Sequence, residues 1–369
     1  MKWLYGILCL FFLILFHEFG HFLAAKLFGV KVESFSIGFG PILLHKTFRG
    51  TDYRLSLFPL GGYCGMKGEK DFQNAIEANL SEIKAEKDSL YGIHPLKRAI
   101  IGFAGPFFNF LFAFIAYAII AGVGYKYYTY SNKILINDSV TSSVAKDAGI
   151  QSGDIITKIN NKEISDFSDL LEEISTRPDE DLLVTVDRNG KSLEFKVHTQ
   201  MDASQGTGKI GIAADTSNIL EKEAKKYSFF LAIGHGFLET VDSVGLTIKS
   251  IGLLFKGVDL DNAVSGPVRV TDMLGSTVKA GFSAGFRQGL VSLLSLMAII
   301  SISLFIMNLL PIPILDGGLI LIALVEIIIR RKVHPKFQYY IQFIGLAFIA
   351  VIFIIGLKGD ITFFLNKNK

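Results

Sequence analysis

The chain has 369 residues, half of them hydrophobic, with a mean hydropathy of +0.43 and 32 phenylalanines. That composition is one of a membrane protein rather than a soluble domain, and the length allows roughly two or three domains. A net charge of +3 leaves no basic footprint for nucleic acid, and two isolated cysteines, Cys9 and Cys64, build neither a disulfide framework nor a zinc knuckle.

The first apolar stretch, Trp3 to Phe28, can cross about 30 Å of hydrocarbon at about 1.5 Å per residue. Lys2 ahead of an apolar run also resembles the start of a signal peptide. The run, however, continues past Phe16 through Phe22 and Leu23, and cleavage near Lys26 would discard the histidines inside it. Those histidines belong to "HEFGH". On a helix His17 and His21 project from one face about one turn apart, so both imidazoles can grip one cation, and Glu18 beside them can reach a water on that cation. This is the H-E-x-x-H arrangement of a zinc site with the glutamate as general base. Unpaired ionisable groups within a spanning helix cost several kcal/mol and mark function by default.

Residues 30–98 form an expected cytoplasmic, β-rich loop region. "FPLGGYCGM" contains Gly61 and Gly62, which allow close backbone approach or an ordinary turn. Asp71 to Tyr91 is charged and helix-prone, with no assigned role. The second span, residues 99–125, carries Asn109, for which interhelical hydrogen bonding is the simplest role.

Residues 130–200 change character. "ILIND" reads as a strand, and "LLVTVDRNGKSLEFKVHT" reads as a hairpin through Asn189–Gly190. "DFSDLLEEIST" reads as an amphipathic helix with Phe167, Leu170, Leu171 and Ile174 on one face. With "AGIQSGDIITKINNKEI", this order resembles a PDZ domain, which either takes an extended peptide end as an added strand or acts as a rigid size filter. Residues 201–287 read as an extracytoplasmic linker with amphipathic helices. His235, Glu239, Asp242 and Lys249 interrupt the apolar run from Phe229 to Phe255, favouring an interfacial helix over a fifth span.

The third segment, residues 288–330, spans from Leu290 to Leu310 and resumes as Leu319 to Ile329 beyond "NLLPIPILDGG". Pro311 and Pro313 break the helix and Gly317–Gly318 free the backbone. Irregular backbone at membrane depth is tolerated where it lines a cavity. Asp316 is therefore either the third ligand that a catalytic zinc site needs or an N-cap of the following helix. The fourth span occupies residues 338–358. Lysines and arginines crowd the loop after span one and the link Arg330 to Lys336, so the positive-inside rule puts both in the cytoplasm and both termini outside. The histidines and Asp316 then reach similar depth. The expected fold is an α-helical polytopic membrane protein of about four transmembrane helices, with an inserted extracytoplasmic PDZ-like α+β domain.

Taken together, "HEFGH" in the first span, one external PDZ-like module and "NLLPIPILDGG" near the end resemble the site-2 protease family of intramembrane zinc metalloproteases, in its bacterial RseP-like branch. "SFSIGFGP", "FPLGGYCGM", "AGPFFNFLFA" and "SGPVRV" resemble further segments of that family. The resemblance implies one Zn²⁺ held by His17, His21 and Asp316, with Glu18 as the catalytic glutamate. It also implies Asn308 holding the substrate backbone, and a membrane-reentrant β element at Gly61 and Gly62 pairing with unwound substrate. The implied substrates are single-span membrane proteins, such as anti-sigma factors, or remnant signal peptides, cut in the bacterial inner membrane. Many members of this branch carry two tandem PDZ modules, and here one is found. The alternative is a catalytically silent, membrane-anchored PDZ binding protein. A metal transporter is disfavoured, since the other spans carry no path of carboxylates.

Overall fold

The computed structural model describes residues 2–136, 143–202, 206–217, 219–253 and 265–367. The end of the expected strand "ILIND" and linker residues 203–205, 218 and 254–264 lie outside these. In chain order the elements begin α1 (Lys2–Leu27), β1 (Val32–Phe48), β2 (Thr51–Met66), α2 (Glu69–Glu77) and α3 (Pro95–Val123). They continue β3 (Lys126–Tyr130), β4 (Ile134–Ile136), α4 (Val144–Asp147), β5 (Ile155–Ile159), β6 (Lys162–Glu163), α5 (Phe167–Ser175), β7 (Asp181–Arg188) and β8 (Lys191–His198). Next come β9 (Gln200–Asp202), β10 (Thr207–Lys209), β11 (Ile212–Ala214), β12 (Ile219–Glu223) and α6 (Phe229–Leu253). The chain closes with α7 (Pro267–Ser283), α8 (Phe286–Leu309), α9 (Asp316–Ile329) and α10 (Pro335–Lys367).

Among the described residues five helices, α1, α3, α6, α8 and α10, are long and apolar enough to cross a membrane. The architecture is that of a multi-pass membrane protein. Helix α6 is the addition to the four expected: its four polar interruptions are spread over 25 residues, and by length and composition it still qualifies.

The chain divides into two compact units. The first comprises residues 1–123, 227–244 and 265–369. Its helical core joins Leu13 of α1, Phe112, Ala113 and Ala116 of α3, Leu274 of α7, and Met297, Ala298 and Ile302 of α8. Lipid tails offer helices no hydrophobic incentive to associate, so close packing over small residues and buried polar pairs must hold them. Both are present. A methyl group at Gly20 would lie 2.3 Å from the Ala104 carbonyl oxygen of α3, so the backbones of α1 and α3 approach this closely only because that position is bare. The Lys2 ammonium lies 2.6 Å from buried Asp272 of α7. The buried Asp360 carboxylate of α10 accepts from the amides of Gly266 (2.9 Å) and Val268 (3.0 Å) at the start of α7. Arg98 of α3 and Glu326 of α9 form a buried ion pair.

β1 and β2 pair antiparallel, and each bends, β1 at Gly38 and Gly40, where φ is 86° and 85°. The bends give four ladder segments in the order 42–48, 51–56, 32–37 and 62–66. The last segment is an edge. Among the described residues its outer side pairs with no strand.

The second unit comprises residues 124–226 and 245–264. Its main sheet runs β6-β5-β7-β8, with Ile156, Ile159, Leu170, Leu182, Val184 and Val186 in the core. β7 and β8 form the expected hairpin, Asn189 and Gly190 both at positive φ as a two-residue primed turn requires. Helix α5 is capped by Asp166, whose carboxylate accepts from the Ser168 and Asp169 amides. Leu170 and Ile174 are buried there, but Leu171 is 57% exposed. The buried face of α5 is formed by Phe167, Leu170, Glu173 and Ile174, and Leu171 lies at its open margin.

Candidate metal centre

His17 and His21 lie in the middle of α1, both nearly buried. The break expected after α8 is real. Helix α8 ends at Leu309, the chain turns through Pro311 and Pro313, and Asp316 opens α9. Within that turn Ile314 sits at φ 95°, a conformation a β-branched residue adopts only under compulsion from its surroundings. The two glycines that follow are required by space. A methyl group at Gly317 would meet the Leu310 carbonyl oxygen at 2.1 Å, and one at Gly318 the Ile312 carbonyl oxygen at 2.5 Å. Leu315 occupies the N-cap position of α9, so the Asp316 side chain does not cap the helix.

Instead it faces the histidines. Asp316 Oδ2 is 3.2 Å from His17 Nε2, Asp316 Oδ1 is 3.2 Å from His21 Nε2, and the two Nε2 atoms are 3.2 Å apart. Ligand atoms on a tetrahedral zinc with bonds of about 2.0 Å stand about 3.3 Å apart. The two Nε2 atoms therefore stand one such tetrahedron edge apart, the carboxylate presents one oxygen to each ring, and the donors, two imidazoles and a carboxylate, suit zinc. These three residues are the group among the described residues that can hold a metal ion.

The surrounding atoms prepare both histidines. His21 Nδ1 is 2.8 Å from the Ile101 carbonyl oxygen. A carbonyl only accepts, so Nδ1 carries the hydrogen and Nε2 of the neutral ring keeps its lone pair for a cation. His17 Nδ1 is 3.0 Å from the Asn109 amide group, whose other terminal atom, buried, has no partner among the described residues. The nitrogen and oxygen of an amide are told apart by their hydrogen bonds. With the oxygen toward His17, Asn109 accepts from Nδ1–H and frees Nε2 in the same way. The Asn109 backbone oxygen in turn accepts from Ser301 Oγ of α8 at 2.9 Å. Gly105 clears the space over the ring: a methyl group there would lie 2.2 Å from His21 Nε2.

Glu18 points from the same helix turn toward the edge segment 62–66. Its Oε2 accepts from the Cys64 amide at 3.0 Å. Gly62 pairs with Ile37, and a methyl group on it would meet the Ser36 carbonyl oxygen at 2.7 Å and the Glu18 Cγ at 3.8 Å. Gly61 is packed under the Phe39 ring. Asn308 lies in the last turn of α8, half-buried, and among the described residues its side chain makes no hydrogen bond.

Sequence reasoning assigned Asn109 an interhelical hydrogen bond without naming its partner, and it missed Gly105, the Ile101 carbonyl and the Cys64 amide. Backbone donors and acceptors carry no signature in sequence. The i, i+4 spacing of Gly105 and Asn109 does place both on one face of α3, and a lone asparagine in an apolar span marks that face.

The sequence model of Peptidase family M50 matches residues 5–352. A provisionally named zinc metalloprotease of Treponema pallidum is 36% identical, with 99% of this chain and 100% of the relative covered. Similarly named proteins of Campylobacter jejuni and Helicobacter pylori J99 are 37% and 33% identical, covering 98% and 97% of this chain and 94% and 98% of their own lengths.

Proposed function

Because this chain belongs to peptidase family M50, we propose that it cuts peptide bonds within the bilayer, in the spanning segments of single-span membrane proteins or in remnant signal peptides. The protein is a site-2-type zinc metalloendopeptidase, and zinc is its cofactor. The observation that carries the finer reading is the triangle of His17, His21 and Asp316 with Glu18 beside it. Its depth supports an intramembrane reaction. Glu326 follows Asp316 by ten residues on α9, and Arg98 precedes Asn109 by eleven on α3. Both intervals are about 15 Å of helix, half of the roughly 30 Å hydrocarbon layer. The Arg98–Glu326 pair sits where cationic residues crowd both helix ends, which suits the cytoplasmic boundary. The metal centre then lies near mid-bilayer.

His17, His21 and Asp316 would hold the zinc ion, which would lower the pKa of a water toward neutrality and polarise the scissile carbonyl. Glu18, held through Oε2 by the Cys64 amide, keeps Oε1 to take the water proton and pass it to the leaving nitrogen. A substrate helix must unwind first, and its freed amides and carbonyls then need partners. The open edge at Gly61, Gly62 and Cys64 offers backbone groups to an added strand, and Asn308 offers an uncommitted amide. α1 and the sheet also enclose an apolar groove of about 350 Å³ lined by Phe19, Phe22, Phe35 and Ile37, which suits an apolar segment.

In this reading the second unit is an extracytoplasmic PDZ-like domain and both termini face outside the inner membrane. Its groove of about 460 Å³ between α5 and residues 208–212, with Leu171 on its wall, suits an extended peptide end. The test is Glu18→Gln. Cleavage of a single-span substrate should fall by about 10²- to 10⁴-fold while zinc content stays at one per chain. Cleavage at the wild-type rate would remove Glu18 from the mechanism.

A further inference from the structure

A second site lies at the other end of α3 and α9, about 15 Å along both helices from the metal centre. There a cavity of about 340 Å³ opens between the N-terminus of α3 and the C-terminus of α9. Its walls carry His94, Arg98, Glu326, Arg330, Arg331 and Lys332. The one carboxylate is spent: Glu326 accepts from Arg98 and from the Val333 amide at 3.0 Å. Lys332 donates to the Ile83 carbonyl at 3.0 Å, which is neutral, and among the described residues it makes no ion pair. Among the described residues Arg330 and Arg331 make no ion pair, and Arg330 turns the chain out of α9 in the left-handed conformation. Arg98 is 3% exposed, lies over the Tyr91 ring, and among the described residues its Nε–H has no hydrogen-bond acceptor.

The rule that concentrates cations at the cytoplasmic ends of spans asks for charge but not for a cavity. Here the charge surrounds one, at the level where two apolar helices end. A set of four permanent cations against one neutralised carboxylate, with arginine forks prominent, is chemistry for a phosphate group. Basic pockets between spanning helices at the cytoplasmic face are suited to anionic headgroups. We propose that this cavity binds the phosphate of an anionic phospholipid. The acyl chains would run along the apolar flanks of α3 and α9, where Ile100, Phe103, Leu324 and Ile328 are exposed. The proposal rests on the reading of the chain as a multi-pass membrane protein and is independent of its proteolytic chemistry.

The test is native mass spectrometry of the full chain released from mixed micelles containing phosphatidylglycerol or phosphatidylcholine. The wild type should retain one phosphatidylglycerol and little phosphatidylcholine. Arg330→Gln/Arg331→Gln should lower that retention by about thirtyfold, whereas Lys70→Gln/Lys87→Gln, exposed cations outside the cavity, should leave it unchanged. The single variant Arg331→Gln, which spares the left-handed residue, should lower retention several-fold even if the double variant misfolds. Equal retention of the two lipids, or undiminished retention in Arg331→Gln, would overturn the proposal. Displacement of the lipid by millimolar inorganic phosphate would assign the cavity to a soluble phosphate compound and overturn the lipid assignment.

Discussion

His17 owes its orientation to a residue 92 positions away in the chain. Asn109 is the nearest example here of a group that touches no substrate yet sets what a ligand can do, by fixing which ring nitrogen carries the hydrogen. Groups of this kind typically change metal affinity by about 10- to 100-fold. Asn109→Leu should therefore lose zinc to a competing chelator by about that factor, and Asn109→Asp, which still accepts from Nδ1–H, should recover most of it. Zinc retention in Asn109→Leu equal to wild type would show that His17 is held by packing alone. The motif "HEFGH" was legible as a ligand pair with an adjacent base because helical spacing alone brings those side chains together. Asn109 was legible as a polar residue in an apolar span, but its partner was not.

Between elements, the decisive feature is how closely α1 and α3 approach. Gly20 and Gly105 are bare on facing helices, and Gly105 lies against His21 itself. Gly105→Ala must displace either the ring or the helix. It should cost about 1–3 kcal/mol of stability and reduce zinc binding at the same time, measured by thermal unfolding in detergent with and without chelator. In the second unit an ion pair plays the comparable part. Asp154 is 2% exposed and accepts from Arg188 through both oxygens, at 2.7 Å each, and from the Gln151 amide. Burial raises its pKa, but the hydrogen bonds and charge of Arg188 and the Gln151 amide outweigh burial and bring it below the ordinary value. A depressed carboxylate contributes stability that is complete above the unfolded-state value of about 3.9 and is lost as pH falls through the folded-state value. Hydrogen-exchange protection of β5 and β7 in the full chain should thus weaken on acidification below about pH 4. Asp154→Ala should reduce it at neutral pH, because Arg188 and the Gln151 amide then lose their shared acceptor. Unchanged protection in that variant would mean the sheet is held by its isoleucine and valine core alone.

For the whole molecule, the number of crossings fixes the side of the membrane on which each end lies. Four spans return the C-terminus to the side of the N-terminus, and five do not. Helix α6 meets the length and composition of a span, yet His235, Glu239, Asp242 and Lys249 interrupt it. In our reading it lies in the interface, so reporter fusions after Lys2 and after Lys367 should both report the extracytoplasmic side. Opposite sides would make α6 a fifth crossing and revise the orientation of α8, α9 and α10. Composition and local periodicity by themselves determined the membrane class, four of the five long helices, the hairpin at Asn189–Gly190 and the H-E-x-x-H pair. Each of these is set by neighbours within a turn or two of chain, or by the bulk preference of apolar side chains for lipid. Local spacing leaves Asp316 between an N-cap and a ligand, and only the tertiary structure brings its carboxylate to two histidines about 300 residues earlier. It also decided that the 62–66 edge faces Glu18 and that Arg98 meets Glu326. Those contacts depend on which helix faces pack, and packing between spans is chosen by shape and buried polar groups, which leave no period in the sequence.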